Sequence, residues 1–579
     1  MNLQRIAWWS VRLAALMSLA SAAVAQPAAG APAGFELTRP RGEYLRMPIS
    51  ELTPMLSWLE DLSTRPVGLG IVARGDSELL LIHCLLVQGR PEQALSVIAA
   101  ARNEVNKPQQ RDATFVDEEL LARARAEGWN EARFVEVANQ RMRALPWPAA
   151  RSRLLDLTHA LDIAPFETTA VAADRADLTF QAIAQRSQVD AAINVVEARY
   201  LQEVLQPHVE SLRSAIQVLL AAHAGEPGYW EQRAMPPLKG SEHPVAVAVW
   251  DPDGVDLTLF RHPETDCLVL ASGDGCLVDP EIAGANHAQA WELVRGFQDG
   301  IAGLATAPAR AWQEREALLI GERQRAVSQD RPMEIRVVDL RRGSLTTEVV
   351  RAGSRMHGTH VAGIVVEGNP DVELLAIRDG GIVEHPGLEE RQWRRRFDRI
   401  ERFLRTNHVR IVNMSWGVNA RVAPTQSALF ESHMLTLMAA LPETLFVAGA
   451  GNDDRSIERD RFVPASLSAA NFLTVGAVDQ DGQVTYFSNT GSGVALYANG
   501  DRVTSLAPGG YPLEMSGTSM AAPQVCNVAA RLLRDHPELS VAELKRLLLD
   551  AADERPAGNQ LDTPVRVLNP ARSLALASR

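Results

Sequence analysis

The chain has 579 residues, of which 46% are hydrophobic, and a formal net charge of −13. This length allows two or three domains, and the hydrophobic fraction excludes a largely disordered chain. The acidic balance argues against nucleic acid as a partner and against binding to an anionic membrane surface. We also expect no block of lysine and arginine residues that could form such a binding surface.

The first 25 residues have the pattern of a secretory signal peptide. Arg5 and Arg12 precede an apolar stretch at 13–24, and small residues stand at Ala23 and Ala25. We therefore expect cleavage after Ala25, an exported protein (periplasmic or secreted), and no stable membrane insertion after cleavage. The apolar stretch is short for a membrane span, and an uncleaved N-terminal anchor is the alternative.

Residues 47–235 predict an all-helical domain, which follows an Ala/Pro/Gly-rich flexible leader at 26–46. Apolar residues recur at spacings of three and four, and turns at 89–91 and around Gly128 separate pairs of helices. The two pairs resemble tetratricopeptide repeats, but the signature positions of that repeat are not filled, so we favour an irregular helical domain, with the repeat as the alternative. Such a domain is expected to act as an interaction module for a protein partner or as a prodomain.

Residues 236–579 predict an α/β domain. The short apolar runs VAVAVW, ELLAIR, RIVNMSW, TLFVAGAG and FLTVGAV alternate with helical segments. Runs without polar alternation are typical of strands that are buried on both faces of a parallel sheet. Active sites of such sheets lie at the carboxyl ends of the strands. The residues directly after these runs are therefore candidates for chemistry.

Polar residues with catalytic potential occur in three segments, one of which directly follows an apolar run. Ser519, in EMSGTSMAAP, is expected at a helix start with Pro523 in the first turn, where a lone serine is by default a cap. His357 and His360 are expected to open an apolar helix. Their spacing of three and the missing glutamate of HExxH disfavour zinc. Asn452 ends the run LFVAGAG, where a turn former is the simple alternative.

Together the motifs HGTHVAG, NMSWG, AGAGN and SGTSMAAP resemble the subtilisin-like serine peptidase (subtilase) family in sequence and in order. The resemblance covers roughly residues 245–575. It implies a central, mostly parallel sheet flanked by helices, and an endopeptidase that cleaves polypeptide substrates through an acyl-enzyme without a required cofactor. Family members often bind calcium, but no constellation of acids here assigns a structural calcium site.

The resemblance also implies a role for each matched residue. Ser519 is the nucleophile, His357 is the general base, and Asn452 is the oxyanion donor, while His360 is structural. The segment that pairs with extended substrate is expected at Ser415, Trp416 and Gly417, and one wall of the pocket for the side chain before the scissile bond at Ala448 and Gly449. A catalytically silent, peptide-binding subtilase that acts through its helical N-terminal module is the alternative, which the intact catalytic residues disfavour.

The triad also needs an aspartate before the histidine, and two are candidates. Asp251 ends the run VAVAVW and leads into PDGVD, which is similar to the family's pattern apart from one extra residue. Asp339, in MEIRVVDLRRGS, lies closer to His357, but its apolar run is interrupted and arginines follow it. We favour Asp251. Asp253 and Asp256 are expected to shape the turn, with a minimal calcium loop as the alternative.

The choice of Asp251 implies an insertion at about 262–350, and long surface insertions cost little closure entropy. Cys267 and Cys276 lie inside it and could form a bridge across a glycine-containing loop. Cys84 and Cys526 lie in apolar helical patterns and are predicted to be buried thiols.

Overall fold

A computed structural model describes most of the chain. The described residues are Leu37, 41–64, 74–161, 188–223, 229–255, Leu259, 267–269, 345–378, 389–555 and 564–577, apart from a few single positions within these ranges. They form two compact units that divide between residues 228 and 229. The predicted signal peptide at 1–25 lies outside the described residues. Within those residues, no helix is both long and apolar enough to cross a membrane.

The N-terminal unit is helical, as predicted. Its described α-helices are α1 (Arg41–Arg46), α2 (Ile49–Thr64), α3 (Arg74–Val87), α4 (Pro91–Asn103), α5 (Val116–Glu127), α6 (Glu131–Arg143), α7 (Gln188–Arg199) and α8 (Val209–Ala222). Short 3-10 helices lie at Pro108–Ala113 and Gln206–His208, and a π-helix at Tyr200–Leu205 follows α7.

The turns between the helices of this unit agree with the sequence. Gly89 (φ +71°) lies between α3 and α4, and Gly128 (φ +66°) ends α5; both take the left-handed conformation that favours glycine. The flexible leader predicted up to residue 46 is wrong at its end, because α1 is ordered there and buries Tyr44. Cys84 is a buried free thiol, as expected.

The C-terminal unit alternates strands and helices. Its elements are β1 (Val245–Trp250), β2 (Cys267–Val269), α9 (Leu345–Val366), β3 (Val372–Arg378), α10 (Glu390–Thr406), β4 (Ile411–Met414), β5 (Val418–Asn419), α11 (Pro424–Ala440), β6 (Leu445–Gly449), β7 (Phe462–Val463), β8 (Phe472–Val478), β9 (Val494–Asn499), β10 (Val503–Ala507), β11 (Tyr511–Met515), α12 (Thr518–Asp535), α13 (Val541–Asp550), β12 (Asp553–Arg555), β13 (Val565–Val567) and α14 (Pro570–Ala577).

The strands form a sheet in the order β12-β13-β9-β8-β6-β4-β1-β3-β2. Every neighbouring pair is parallel except β12 and β13. The five apolar runs are β1, β3, β4, β6 and β8, so the predicted mostly parallel sheet is confirmed. β1 lies between β3 and β4, with Val247 opposite both Leu374 and Ile411. It is buried on both faces, which explains its uninterrupted apolar sequence.

Alternate side chains of β1 enter two hydrophobic layers. Val247 and Val249 pack in the layer that contains α9 and α12. Ala248 and Trp250 pack in the opposite layer with residues of α10 and α11. Cys526 of α12 is a buried free thiol, as expected. Helices therefore cover both faces of the sheet, and the carboxyl end of β1 is held at its centre.

The N-terminal boundary of this unit differs from the expected one at 235/236. Tyr229 and Arg233 both donate hydrogen bonds to Asp553, at 2.7 Å each, and the Trp230 indole donates to the Asp479 carbonyl. The segment with the composition of a polar linker thus contains an aromatic anchor that belongs to the C-terminal unit.

The predicted insertion at 262–350 also differs from a simple surface insertion, because both of its ends belong to regular elements. β2 pairs with β3 at the edge of the sheet. α9 begins at Leu345, so His357 and His360 lie in its second half and do not open it. Cys276 lies outside the described residues, and the bridge to Cys267 stays a prediction.

Helix α10 contradicts the expectation that the chain has no arginine block. Seven of its 17 residues are arginines: Arg391, Arg394, Arg395, Arg396, Arg399, Arg402 and Arg405. The interleaved apolar residues Trp393, Phe397, Ile400 and Leu404 are buried. The helix is therefore strongly amphipathic, with a basic outer face.

Candidate active site

Asp251 directly follows β1 and faces His357. Its backbone N–H donates to the Ile377 carbonyl at 2.9 Å, which continues the β1–β3 ladder and fixes the residue. Its carboxylate Oδ2 lies 2.7 Å from His357 Nδ1. The Asp251 side chain is 1% exposed, whereas the His357 side chain is 29% exposed. A buried carboxylate thus holds one imidazole nitrogen, while part of the ring reaches solvent.

Gly358 makes this contact possible. A Cβ at Gly358 would lie 2.1 Å from the Gly254 carbonyl oxygen and 2.9 Å from Asp251 Cγ. Gly254 has φ +93°, and its N–H donates to Asp251 Oδ1 at 3.3 Å. Only glycine at both positions lets α9 approach the turn after β1 this closely.

Asp251 is the favoured candidate that the structure brings to His357. The competing Asp339 lies outside the described residues, as do Asp253 and Asp256, so their expected roles stay predictions. Within the described parts of the chain, no group of three or more His, Cys, Asp or Glu side chains is arranged to hold a metal ion.

His360 ties α9 to the hairpin of β10 and β11. Its Nε2 lies 3.0 Å from the Val503 carbonyl and 2.9 Å from the Leu513 carbonyl, so this nitrogen carries the proton and donates to both. Burial lowers the pKa of His360 to about 4, and the neighbouring His357 contributes, although donation to the two carbonyls opposes the shift. The imidazole is therefore neutral above that pH and braces the helix.

This histidine should make the protein acid-sensitive. The unfolded chain binds a proton near pH 6.5, but the folded chain binds it only near 4, so stability is complete above 6.5 and falls as the pH drops through this window. The loss corresponds to about 3 kcal/mol. His360→Gln should flatten the dependence. We would compare urea unfolding at pH 4.5 and pH 7 for both proteins; equal pH slopes would contradict this role.

Ser519 is the second residue of α12, whose N-cap is Gly517. Its hydroxyl donates to the Ser415 carbonyl at 2.9 Å. The expectation that Pro523 lies in the first turn is wrong, since the helix begins at Thr518 and Pro523 falls in its second turn. Proline has no N–H, so the Ser519 carbonyl four residues earlier lacks its helical donor. The Ser415 hydroxyl replaces that donor at 2.8 Å.

Asn452 is fixed to the start of the same helix. Its Oδ1 accepts from the Thr518 N–H at 2.8 Å and from the Thr518 hydroxyl at 3.0 Å. The Gly451 N–H donates to the same hydroxyl at 3.1 Å. Because Oδ1 is held in this way, the Asn452 amide has one orientation, and its Nδ2 lies near Gly517, beside Ser519.

Asn489 supports the Asn452 loop, a role that motif reasoning did not find. Its Oδ1 accepts from the Asp453 N–H at 3.1 Å and the Arg455 N–H at 2.9 Å, and its Nδ2 donates to the Ala450 carbonyl at 2.9 Å. The side chain is fully buried. The only sequence signal is its place in FSNTG, eleven residues after the strand run FLTVGAV, which by itself predicts a turn.

Replacing Asn489 by alanine should therefore lower both stability and turnover. Three backbone groups, one of them buried, lose their partners, at a cost of about 3 kcal/mol. Asn452 also loses its support, so turnover per folded molecule should fall, at most by the factor of about 10² to 10³ that is expected for a lost oxyanion donor. Asn471→Ala is the matched control. Asn471 lies at the amino end of β8, away from the site, and its side chain donates to three backbone carbonyls. Equal turnover of the two variants per folded molecule would disprove the support.

The structure places the predicted substrate-binding residues in different environments. Ser415 is buried, and its side chain bonds to the Ser519 carbonyl and to Asn413. Trp416 packs against Trp250 and Phe430, with ring centroids 5.9 and 5.4 Å away. Gly417 precedes β5.

The two residues predicted as a pocket wall lie at the end of β6. Ala448 is fully buried in the hydrophobic layer of α10 and α11. A Cβ at Gly449 would lie 3.1 Å from Thr518 Oγ1, so this glycine lets the start of α12 pack against the strand. Their predicted role toward substrate stays a prediction.

The fold and the site together define a class: a parallel α/β domain in which Asp251 and Asn452 follow strands β1 and β6, while His357 and Ser519 lie on helices α9 and α12 at the same edge of the sheet. This edge is the one where parallel sheets of this kind carry their sites.

Comparison with known proteins finds similarity to one family over part of the chain. The subtilase family model matches residues 336–566. A subtilisin-like protease of Coccidioides posadasii is 33% identical over 186 residues, which is 31% of this chain and 43% of that protein. Subtilisin E of Bacillus subtilis is 28% identical over 202 residues, which is 34% of this chain and 50% of that protein. A solved cold-adapted subtilisin-like serine proteinase is 26% identical, covering 37% of this chain and 74% of that one, with a TM-score of 0.30.

Residues 336–566 of the chain therefore match the subtilase family of serine peptidases, and the chain is similar to subtilisin-like proteases in this region. It spans half or less of the length of the two curated relatives described above. The family match begins at residue 336, so it contains Asp339 but not Asp251. The aspartate that contacts His357 in the structure thus lies outside the matched range.

Proposed function

We propose that the protein is an exported serine endopeptidase whose triad is Ser519, His357 and Asp251. The observation that supports this most strongly is the 2.7 Å contact between the buried Asp251 carboxylate and His357 Nδ1. A carboxylate on Nδ1 keeps the proton on that nitrogen, so Nε2 is left as the base. It also stabilises the imidazolium that forms when the base accepts a proton.

The chemical steps follow from these positions. Ser519 Oγ turns from the Ser415 carbonyl toward His357, gives up its proton and attacks the peptide carbonyl of the substrate. The oxyanion is held by the Ser519 N–H, which belongs to the first turn of α12 and has no helical acceptor, and by Asn452 Nδ2. His357 then protonates the leaving amine, and water hydrolyses the acyl-enzyme by the same route.

A fluorophosphonate probe tests this function. The exported wild-type protein should be labelled, and Ser519→Ala should abolish the labelling. Ser432→Ala, an exposed serine of α11, is the matched control and should label like wild type. No labelling of wild type, or labelling that survives Ser519→Ala, would sink the proposal and favour the silent peptide-binding alternative.

The two functions considered for the helical N-terminal unit predict different masses for the exported protein. A retained interaction module leaves the chain intact from about residue 26, whereas a removed prodomain leaves only the C-terminal unit from about residue 229. Intact-mass spectrometry of the protein purified from the medium or periplasm distinguishes the two functions. A mass that still includes residues 1–25 would contradict cleavage by a signal peptidase.

A further inference from the structure

The outer face of α10 carries four arginines that form an arginine stripe, namely Arg391, Arg394, Arg395 and Arg402. All four are exposed. Positions 391, 395 and 402 are four and seven residues apart, so they lie on one helix face, with Arg394 beside them. In the part of the chain that the structure describes, these four guanidinium groups form no ion pair or hydrogen bond.

Other charged groups on α10 differ from the stripe. Arg405 is paired with Glu401 at 2.8 Å and also donates to the Ala440 carbonyl. Asp398 is exposed within the same face, and the exposed Glu390, four residues before Arg394, lies 3.2 Å from His433. The stripe is thus a net positive surface on a chain whose formal net charge is −13. Unpaired arginines at spacings that repeat along a helix suit carboxylates, which they can bind in a bidentate manner.

The topology places one end of the stripe near the catalytic edge. α10 begins after the carboxyl end of β3 and ends before the amino end of β4. Both strands pair in parallel with β1, so β3 and β4 run in the same direction. The helix therefore runs antiparallel to the strands, and Arg391, Arg394 and Arg395 in its first turns lie toward the edge that carries Asp251.

Aromatic contacts connect this end of α10 with the predicted substrate segment. The Trp393 ring lies 5.9 Å from Phe430, and Phe430 lies 5.4 Å from Trp416. Trp416 follows Ser415, whose carbonyl accepts from the Ser519 hydroxyl. From Arg391 to Arg402 the stripe extends for about 16 Å along the helix, so it can accompany several residues of an extended polypeptide.

We propose that the arginine stripe is a docking surface for an acidic segment of the polypeptide substrate, outside the catalytic site. This inference rests on the proposed function. Trp393, Phe397, Ile400 and Leu404 are buried and the partly buried Phe403 packs against the same core, so α10 presents no fully exposed apolar side chain for insertion into a bilayer. A long polyanion or a vesicle would also meet the acidic remainder of the protein, whereas a short acidic segment is screened from it beyond about 10 Å.

A pair of internally quenched peptides tests the docking surface. Both have the same neutral cleavable core; one carries a run of glutamates on each side and the other carries glutamines. At low salt the wild-type kcat/KM should be roughly 10-fold higher for the glutamate peptide, since four exposed arginines each contribute a factor of about two. The preference should disappear in 0.5 M NaCl.

Variants with matched charge changes separate the stripe from the net charge. Arg395→Glu/Arg402→Glu should remove or reverse the preference and leave cleavage of the glutamine peptide within about twofold of wild type. Arg546→Glu/Arg566→Glu changes the net charge equally at exposed arginines of the same unit and should retain the preference.

Each outcome has a distinct meaning. If wild type cleaves neither peptide, the proposed function fails. If both peptides are cleaved equally, or if both double variants lose the preference equally, the docking surface is disproved. Sedimentation of Ser519→Ala protein with vesicles of 30% phosphatidylglycerol, or its retention of a 20-nucleotide DNA, combined with no peptide preference, would also overturn the proposal and assign the stripe to lipid or nucleic acid.

Discussion

Asp251→Asn should lower kcat/KM about 10⁴-fold while the protein stays folded. The amide keeps the size of the carboxylate, and its NH₂ group can donate to His357 Nδ1. This donation leaves the proton on Nε2, the nitrogen that must accept the Ser519 proton, and it removes the charge that stabilises the imidazolium. Steady-state cleavage of a quenched peptide measures the effect.

Two controls keep this result interpretable. Thermal unfolding of Asp251→Asn should stay close to that of wild type, because the Gly254 N–H can still donate to the amide oxygen, which takes the position of Asp251 Oδ1. Asp398→Asn, an exposed carboxylate on α10, changes the charge equally and should leave cleavage of a neutral peptide unchanged. A decrease of less than tenfold for Asp251→Asn would show that this carboxylate does not set the tautomer.

Gly358→Ala should be the most damaging single-methyl change in the catalytic unit. The added Cβ would lie 2.1 Å from the Gly254 carbonyl oxygen, which is backbone and cannot rotate away. Either α9 or the turn after β1 must move, at a cost of about 3 kcal/mol in the free energy of unfolding. A displacement of about 1 Å between His357 and Asp251 should lower turnover about 10²-fold.

The sign of this effect makes the prediction sharp. In an unobstructed helix, glycine to alanine stabilises by about 1 kcal/mol, so a stabilised Gly358→Ala variant would refute the close approach. Gly240→Ala is the control, because its Cβ would meet no atom closer than 3.7 Å and its backbone has no positive φ. Urea unfolding and peptide cleavage are measured on both variants.

Much of the catalytic unit could be predicted from local patterns. Each apolar run of the sequence is a strand because burial on both faces requires uninterrupted apolar residues, and β1 shows this with every residue buried. Tyr229 and Trp230 were missed because a turn-like composition hides aromatic residues whose partners, Asp553 and Asp479, lie 324 and 249 residues away.

Some residues of the site could also be predicted from the sequence, and others could not. Ser519, His357 and Asn452 could be found because their neighbours are small residues that close backbone approach requires, as Gly358 shows. Asn489 and the substitution of Ser415 for a helical donor could not, since both depend on contacts between distant segments. The arginines of α10 are visible in the sequence, but only the helix places them on one face opposite Trp393 and Phe397.

The rate of fluorophosphonate labelling of Asp251→Asn and Asp339→Asn, measured side by side with wild type, tests the central claim most directly. Labelling requires the activated Ser519 but no substrate pocket of known specificity. If Asp251 is the triad carboxylate, the Asp251→Asn rate falls by orders of magnitude and the Asp339→Asn rate equals that of wild type. The opposite pattern, with both variants folded, would contradict the account and assign the triad to the aspartate inside the family match.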